Sequence, residues 1–302
     1  MFNVLESQGK SWAVFHDTTF IPSLTLAQFL PQLAKHDDHF FRLSVFKKLC
    51  KAKADATNKL PQYSFVEPRF TPELGLFEID YPADYHPPHN ICRGEQFLAG
   101  IYDAVRTSPY RDKILLVITF DEHDGTYDHV APPAGAAAPA PGAVSRDGSF
   151  DFSRFGVRVP AIVVSSYVRP GTVFRAPPGS APFDHTSLLA TLRDWLQLES
   201  DPSKHFLPSP RIKAAPTLAP ILTQDESNKI VDWPEITAAC TIGDDDQSLG
   251  SPLGELQKGL LMAAVRKSCE DANSGESATK ISAVPSLSTY EHALTFMHPD
   301  AL

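Results

Sequence analysis

The sequence of 302 residues lacks the features that mark several whole classes of protein. It has no run of about 18 apolar residues, so no transmembrane helix is expected. Its first residues, MFNVLESQGKSW, have neither the basic nor the apolar region of a signal peptide. Acidic residues outnumber basic ones, and a net charge of −9 argues against nucleic-acid binding, which needs a basic face. The compartment stays open.

Closely spaced cysteines are also missing. The four cysteines lie far apart and form no CxxC pair: Cys50, Cys92, Cys240 and Cys269. This spacing indicates neither a zinc cluster nor a dense disulfide framework, and it leaves one or two disulfide bridges open. The length allows one large domain or two smaller ones with a sizeable core.

The most informative stretch is residues 114–133, ILLVITFDEHDGTYDHVAPP. Residues 114–120 are apolar apart from Thr119 and rich in β-branched side chains, which predicts a strand buried on both faces, as in a parallel sheet. Four carboxylates and two imidazoles follow within nine residues: Asp121, Glu122, His123, Asp124, Asp128 and His129. Ligands gather at the carboxyl ends of strands in open α/β sheets, so a metal site is expected here. The alternative is a solvated acidic loop.

The two adjacent carboxylates, Asp121 and Glu122, need a bend before they can converge, because successive strand residues point to opposite faces. Gly125 permits that bend, since glycine tolerates backbone angles that other residues avoid. The site is therefore expected at the turn that follows the strand.

Two further segments carry histidines. In residues 84–90, DYHPPHN, the prolines fix a loop that presents His86 and His89, which suits a ligand or acid–base site. In residues 183–187, FDHTS, His185 precedes an amphipathic helix over residues 188–198, with Asp184 or Thr186 as its cap. The alternatives are surface histidines beside turn prolines and a histidine that only packs near a cap.

The chain changes character after residue 223. Residues 1–223 are interpreted as the main domain, and residues 157–165, VRVPAIVVS, as a second buried strand within it. Residues 224–302 are interpreted as an extension with an acidic turn at residues 244–246, one packed helix over residues 252–271 and a flexible tail. The apolar positions expected to face inward on that helix are Leu253, Leu256, Leu260, Leu261 and Val265.

With these segments in place, the chain resembles the phosphoesterase family that includes bacterial and plant phospholipase C enzymes and related acid phosphatases. The strongest match is FDEHDGTYDHVAPP, similar to the family's DE-H-G-G-x-x-DHV-x-P segment. Further matches follow in the expected order: LPQYSFVEPRF, HPPHN, GEQF, FGVRVPAIVVS, FDHTS and PLGELQKGLLMAA. The resemblance covers roughly residues 2–265. It implies an α/β, alkaline-phosphatase-like fold with a mixed, mostly parallel sheet flanked by helices.

The resemblance also implies roles for individual residues. Asp121 and Glu122 match the family's paired carboxylates, so they are expected to bind a divalent metal ion whose identity stays open. His86 matches a histidine that holds the phosphate or serves as an acid, and His129 and His185 match histidines that line the site. Hard oxygen ligands suit a hard divalent cation, and nearby imidazoles suit protonation of a leaving alkoxide.

One departure from the family pattern stands out. The family's chain begins with an E-N-x-S-F-D-H-type segment that supplies further metal ligands, followed by a Thr or Ser nucleophile, and neither occurs here. The chain therefore resembles the C-terminal half of a phosphoesterase, and its fold is expected to be incomplete at the N-terminal side. Two carboxylates alone bind a divalent ion weakly.

Three functions follow from the resemblance. The first is metal-assisted, phospholipase C-like hydrolysis of phosphoric ester bonds, with a phospholipid or small phosphoester as substrate, peripheral membrane contact and no nucleic acid. The second, of a different class, is a truncated or degenerate non-catalytic remnant that binds a ligand or partner. The third is an acid phosphatase or sulfatase-like esterase. Because the family's nucleophile is missing, the sequence leaves open whether the chain is itself an enzyme.

Overall fold

The computed structural model describes residues 1–19, 23–28, 33–53, 55–74, 79–87, 89–198, 209–242, 250, 252–271 and 277–297. The chain divides into two compact units. The first unit combines Met1–Trp12 with Tyr110–Pro234, and the second unit combines Ala13–Pro109 with Glu235–Leu302. The domain division at residue 223 stays a prediction.

Short strands form three small sheets in the described residues. In chain order they are β1 (Trp12–His16), β2 (Phe40–Arg42), β3 (Tyr63–Glu67), β4 (Glu73–Leu74), β5 (Ile79–Asp80), β6 (Leu116–Thr119) and β7 (Ala161–Val164). One sheet has the order β2–β1–β3, and the others pair β4 with β5 and β6 with β7.

Helices precede, separate and follow these strands along the chain. The α-helices are α1 (Phe2–Ser7), α2 (Leu24–Gln28), α3 (Leu43–Cys50), α4 (Ile91–Arg106), α5 (His185–Trp195), α6 (Pro210–Ala214), α7 (Glu255–Asp271), α8 (Ser277–Ala283) and α9 (Tyr290–Met297). Among the described residues, no helix combines the length and hydropathy needed to cross a bilayer.

The three-stranded sheet lies in the second unit, apart from Trp12 at the start of β1. Strands β1 and β2 are parallel, with Val14 opposite Phe40, and Val14 and Phe15 are completely buried. Helix α3 covers this sheet because its apolar residues recur on one face, and the ring of Phe46 lies edge-on against Phe15 with centroids 5.4 Å apart. The mixed α/β class predicted from the sequence is confirmed.

The C-terminal part of the second unit has its own apolar core. Apolar residues spaced three and four apart on α7 pack with residues of α9 and of the turn before it. The α7 residues are Leu260, Leu261, Ala264 and Val265, and they are joined by Val284 from the turn and by Tyr290 and Ala293 from α9. The predicted helix over residues 252–271 is confirmed, while the side chain of Leu256 and the acidic turn at residues 244–246 lie outside the described residues. Among the described residues, α8 and α9 follow this helix, and Tyr290 and Leu294 are buried.

The first unit contains the strand predicted at residues 114–120. It forms β6 and pairs antiparallel with β7, with Leu116 opposite Val164 and Thr119 opposite Ala161. The prediction of a parallel strand buried on both faces is wrong: the β6 residues are half-buried and Ile162 on β7 is exposed. An apolar run specifies a strand, but its burial depends on neighbours from elsewhere in the chain, and two strands cannot cover both of their own faces.

Candidate active site

The acidic segment after β6 is a short exposed loop in the first unit. Asp121 and Glu122 are both exposed. The Asp124 backbone N–H donates to Glu122 Oε2 at 2.6 Å, and His123 Nδ1 lies 3.5 Å from the same oxygen. One carboxylate oxygen of Glu122 is thus engaged within the loop.

The bend predicted at Gly125 is confirmed. Asp124 and Gly125 have φ values of 56° and 69°, so both occupy the left-handed region. Glycine enters this region at little cost, and aspartate is one of the few other residues that visit it routinely. The Thr126 backbone N–H closes the turn on the His123 carbonyl at 3.0 Å. The loop therefore reverses immediately after the two carboxylates.

His185 is brought to this loop by helix α5. The Asp184 side chain caps the helix by accepting from the Thr186 backbone N–H at 2.8 Å, and Ser187 completes a capping box. His185 Nε2 lies 2.7 Å from the carbonyl oxygen of Phe120, the residue before Asp121. A carbonyl only accepts, so Nε2 carries a proton and, in the neutral ring, Nδ1 is the proton acceptor.

Asp128 anchors the far end of the loop. Arg158 Nε and Nη2 donate to the two oxygens of Asp128, each at 2.8 Å, and the Val130 backbone N–H donates to Asp128 Oδ1 at 3.0 Å. The hydrogen bonds from Arg158 hold the pKa of Asp128 well below its usual range. His129 is 81% exposed, with Nδ1 3.6 Å from Asp128 Oδ1, so it faces solvent beside a fixed negative charge.

His86 lies in the second unit, in the loop of residues 84–90. Its Nδ1 lies 2.8 Å from the Pro87 carbonyl, so Nδ1 carries the proton, and its own carbonyl accepts from the His89 backbone N–H at 2.9 Å. The neighbouring Tyr85 ring rests on helix α4 at Gly94, where an added Cβ would lie 2.4 Å from Tyr85 Cε2. The loop is thus held tightly on both sides of His86.

The predicted site residues divide between the units accordingly. The first unit brings Asp121, Glu122 and His185 to the end of β6 and places His129 at the far end of the same loop. His86 belongs to the second unit and is described with it.

Comparison with known proteins decides the family. The model of the Phosphoesterase family matches residues 1–199, which include all five predicted site residues. The chain belongs to the phosphoesterase family. The resemblance drawn from the sequence motifs is confirmed.

Relatives within the phosphoesterase family carry the names of phospholipases C. The chain is 33% identical to non-specific phospholipase C3 of Arabidopsis thaliana over 87% of this chain and 48% of the relative. It is also 33% identical to non-specific phospholipase C4 of the same plant, over 87% of this chain and 46% of the relative. Non-hemolytic phospholipase C of Pseudomonas aeruginosa is 27% identical over 62% of this chain and 28% of the relative. The chain spans about half the length of the plant relatives it matches.

Phosphoesterases of this family are generally metal-dependent, so the fit of Asp121 and Glu122 to a metal matters. Their carboxylate oxygens suit a hard divalent cation by chemistry. Two carboxylates are too few for a complete site. Within the described part of the chain, no set of three converging His, Cys, Asp or Glu ligand atoms includes either residue. The described residues therefore fit a partial site rather than a complete one.

Sequence reasoning missed three contributors in this phosphoesterase chain. Arg158 lies in the FGVRVP segment, and nothing in that motif predicts that its guanidinium binds Asp128. The Phe120 carbonyl has no side-chain signal at all. Tyr290 contacts His89 although 201 residues separate them, and no local sequence pattern predicts such a pair.

Proposed function

We propose that this chain acts in the hydrolysis of phosphoric ester bonds, with a phospholipid as the substrate class. The observation that carries the proposal is the match to the Phosphoesterase family over residues 1–199, together with plant and bacterial relatives named phospholipase C. The geometry supports it through His185, whose imidazole is fixed against the backbone carbonyl of Phe120, the residue before Asp121 and Glu122.

In this proposal, Asp121 and Glu122 supply two ligands of a divalent-metal site that further groups complete. Such a cation, when bound, would polarise the phosphoryl group. Both side chains are exposed, which leaves their free oxygens accessible to a cation and to substrate. Asp128 is not a ligand in this scheme, because Arg158 already occupies both of its oxygens.

In this proposal, two of the three histidines, His185 and His86, transfer protons. His185 and His86 are each locked by one nitrogen that donates to a backbone carbonyl, at 2.7 and 2.8 Å respectively. We assign to the other ring nitrogen of each the exchange of a proton with a leaving alkoxide or water. His129 is exposed and less constrained, so we assign it contact with the substrate's charged head group rather than proton transfer.

A phospholipid substrate brings the protein to a lipid surface. The strand-end loop carries Tyr127, which is 92% exposed, and the exposed Val130. Tyrosine favours the membrane interface because its ring is apolar and its hydroxyl is polar. We propose peripheral membrane contact through this loop, and binding to phosphatidylcholine vesicles should fall in Tyr127→Ser. Equal vesicle binding by wild type and Tyr127→Ser would refute contact through Tyr127.

A non-catalytic phosphoester-binding protein is the second candidate. It is favoured by the partial metal site, since two exposed carboxylates hold a divalent ion weakly. This candidate predicts ligand binding without turnover, whereas the hydrolase predicts both.

The decisive experiment is hydrolysis of p-nitrophenyl phosphorylcholine and p-nitrophenyl phosphate, measured with divalent metals and with chelator. The hydrolase predicts metal-dependent turnover of the phosphorylcholine ester that Asp121→Ala or Glu122→Ala lowers at least about a hundredfold. Asp194→Ala, which changes an exposed aspartate of the same unit, is the matched control and should leave turnover unchanged.

Each outcome selects a function. Preference for p-nitrophenyl phosphate would favour the acid phosphatase. Binding of phosphorylcholine without turnover of either ester would favour the non-catalytic candidate. Metal-dependent thermal stabilisation that survives the double change Asp121→Ala, Glu122→Ala would refute the metal assignment.

A further inference from the structure

A chain of buried polar groups lies behind the His86 loop in the second unit. His89 Nδ1 is 2.5 Å from Asp84 Oδ1, and His89 Nε2 is hydrogen-bonded to the Tyr290 hydroxyl on helix α9. Gln257 on helix α7 approaches the same His89 nitrogen at 3.5 Å. All four residues are at most 5% exposed.

The order of donors along this chain is set by chemistry. Burial and the negative charge of Asp84 raise the pKa of Tyr290, so its hydroxyl stays protonated and donates to His89 Nε2. His89 then carries its proton on Nδ1 and donates it to Asp84. A buried donor or acceptor left without its partner is destabilising, so this order of hydrogen bonds favours one orientation of the His89 ring.

His89 transmits this order to His86 through the backbone. The His89 backbone N–H donates to the His86 carbonyl at 2.9 Å, and the two ring centroids are 6.3 Å apart. The side-chain contacts to Asp84 and Tyr290 anchor His89, and its backbone N–H in turn supports the backbone of His86. The residues of the buried hydrogen-bond chain are at most 5% exposed, so we expect any influence on chemistry to pass through His86.

The C-terminal part of the chain reaches this loop at a second point. Asn90 caps helix α4 by accepting from the Cys92 backbone N–H at 2.7 Å, and Cys92 is disulfide-bonded to Cys240. Residues from beyond position 235 therefore hold the loop at both its buried middle, through Tyr290, and its end, through Cys240.

We propose that the Asp84–His89–Tyr290 chain is the positioning element of His86, so that helix α9 supports activity by fixing the loop that carries this imidazole. The inference rests on the proposed function, in which His86 exchanges a proton at the phosphoester. His89, Asp84 and Tyr290 are positioning residues, because they act through His86.

The test uses the full 302-residue chain and the variant Tyr290→Phe, which removes only the hydroxyl. Histidine ring signals are recorded by NMR, with His86 assigned by the signals lost in His86→Gln. We expect the His86 signals to shift or broaden in Tyr290→Phe. With p-nitrophenyl phosphorylcholine, we expect kcat to fall about tenfold or more while KM changes less than about twofold, since a misplaced proton donor acts on the transition state.

Two further variants separate positioning from general stability. Tyr102→Phe alters another buried tyrosine of the same unit and should leave the His86 signals and kcat unchanged. Asp84→Asn keeps an acceptor for the Nδ1 proton, so it should lower kcat less than Asp84→Ala. If Tyr290→Phe does not fold, this pair carries the test.

Unchanged His86 signals in folded Tyr290→Phe would overturn the proposal, as would an equal loss of kcat in Tyr102→Phe. An unchanged kcat despite shifted His86 signals would also overturn it. If wild type shows no turnover, the proposed function fails. The catalytic role of the Asp84–His89–Tyr290 hydrogen-bond chain fails with it, while the NMR comparison still decides whether Tyr290 positions His86.

Discussion

Two loops of this molecule carry carboxylates and histidines, and they are built in opposite ways. In the strand-end loop of residues 121–129, Asp121, Glu122 and His129 are exposed, and their histidine–carboxylate contacts join adjacent residues: His123 with Glu122 and His129 with Asp128. In the loop of residues 84–90, Asp84 and His89 are buried and are bonded to each other and to a distant helix. The first loop is open to ligands, and the second is closed around its own polar groups.

The difference shows what burial requires of polar side chains. A buried carboxylate or imidazole needs partners already in place, so the second loop depends on residues far along the chain. An exposed carboxylate is solvated by water and needs none, so the turn at Asp121 and Glu122 is specified locally, while Asp128 at the far end has Arg158 as its partner. Stability is therefore expected to concentrate in the buried part of the second loop, and chemistry with external ligands in the first loop and at His86.

The largest test of this contrast is removal of the disulfide. The double change Cys92→Ser, Cys240→Ser should lower the free energy of unfolding by about 4 kcal/mol, because the bond closes a loop with a sequence separation of 148 residues. Urea unfolding measures the loss, and amide exchange should show reduced protection at the second loop with little change at β6.

The control for that variant is the wild-type protein in reductant, which should unfold like the double variant. Cys50→Ala, which removes the buried free thiol, should cost only about 1 kcal/mol. A loss below about 1 kcal/mol in the double variant would contradict a stability that depends on distant partners.

Local features of the candidate site were predictable from the sequence. The turn after the carboxylates follows from Gly125, and the cap of α5 from the residues around His185, although the structure selects Asp184 over Thr186. Each of these depends on residues within a few positions of one another. Local hydrogen bonding and backbone preference were sufficient to specify them.

Long-range features were not predictable. The burial of β6 was wrong because it depends on which strand pairs with it, and β7 lies more than forty residues along the chain. The partner of His89 on α9 was also beyond local pattern, since 201 residues separate the pair. An isolated sequence specifies what a segment prefers, while tertiary contacts decide what covers it.

A second test, with an expected effect of intermediate size, measures how the free energy of unfolding depends on pH when a buried or an exposed histidine is replaced. Burial, together with the positive charge of Arg42, lowers the pKa of His16 from 6.5 to about 4. Between pH 6.5 and pH 4, His16 is therefore protonated in the unfolded chain but not in the folded chain. The free energy of unfolding falls by about 3 kcal/mol as pH drops through this range. Urea unfolding between pH 4 and pH 8 measures this dependence, and His16→Gln should remove that part of it.

His129→Gln is the matched control for that experiment, because His129 is largely exposed. Its unfolding free energy should follow the wild-type pH dependence. A pH dependence that disappears in His129→Gln and persists in His16→Gln would reverse the contrast between buried and exposed histidines.

The smallest expected effect belongs to the Asp128–Arg158 pair. Arg158 lowers the pKa of Asp128, so the pair stabilises the fold above the carboxylate's unfolded pKa, and this contribution is lost as pH falls. Because the Arg158 side chain is 59% exposed, water and salt screen the pair. Asp128→Asn, Arg158→Gln and the double variant should each change the melting temperature by no more than about 2 °C.

Salt dependence makes this last test sharp. A double-mutant cycle over these variants should give a coupling at low ionic strength that vanishes in about 1 M salt, since exposed charges are screened over a few ångströms there. The Asp84–His89 pair is buried, so salt should not weaken it in the same way. A coupling between Asp128 and Arg158 that survives high salt would mean that the strand-end loop is shielded from solvent. The contrast between an exposed strand-end loop and a buried second loop would then be wrong.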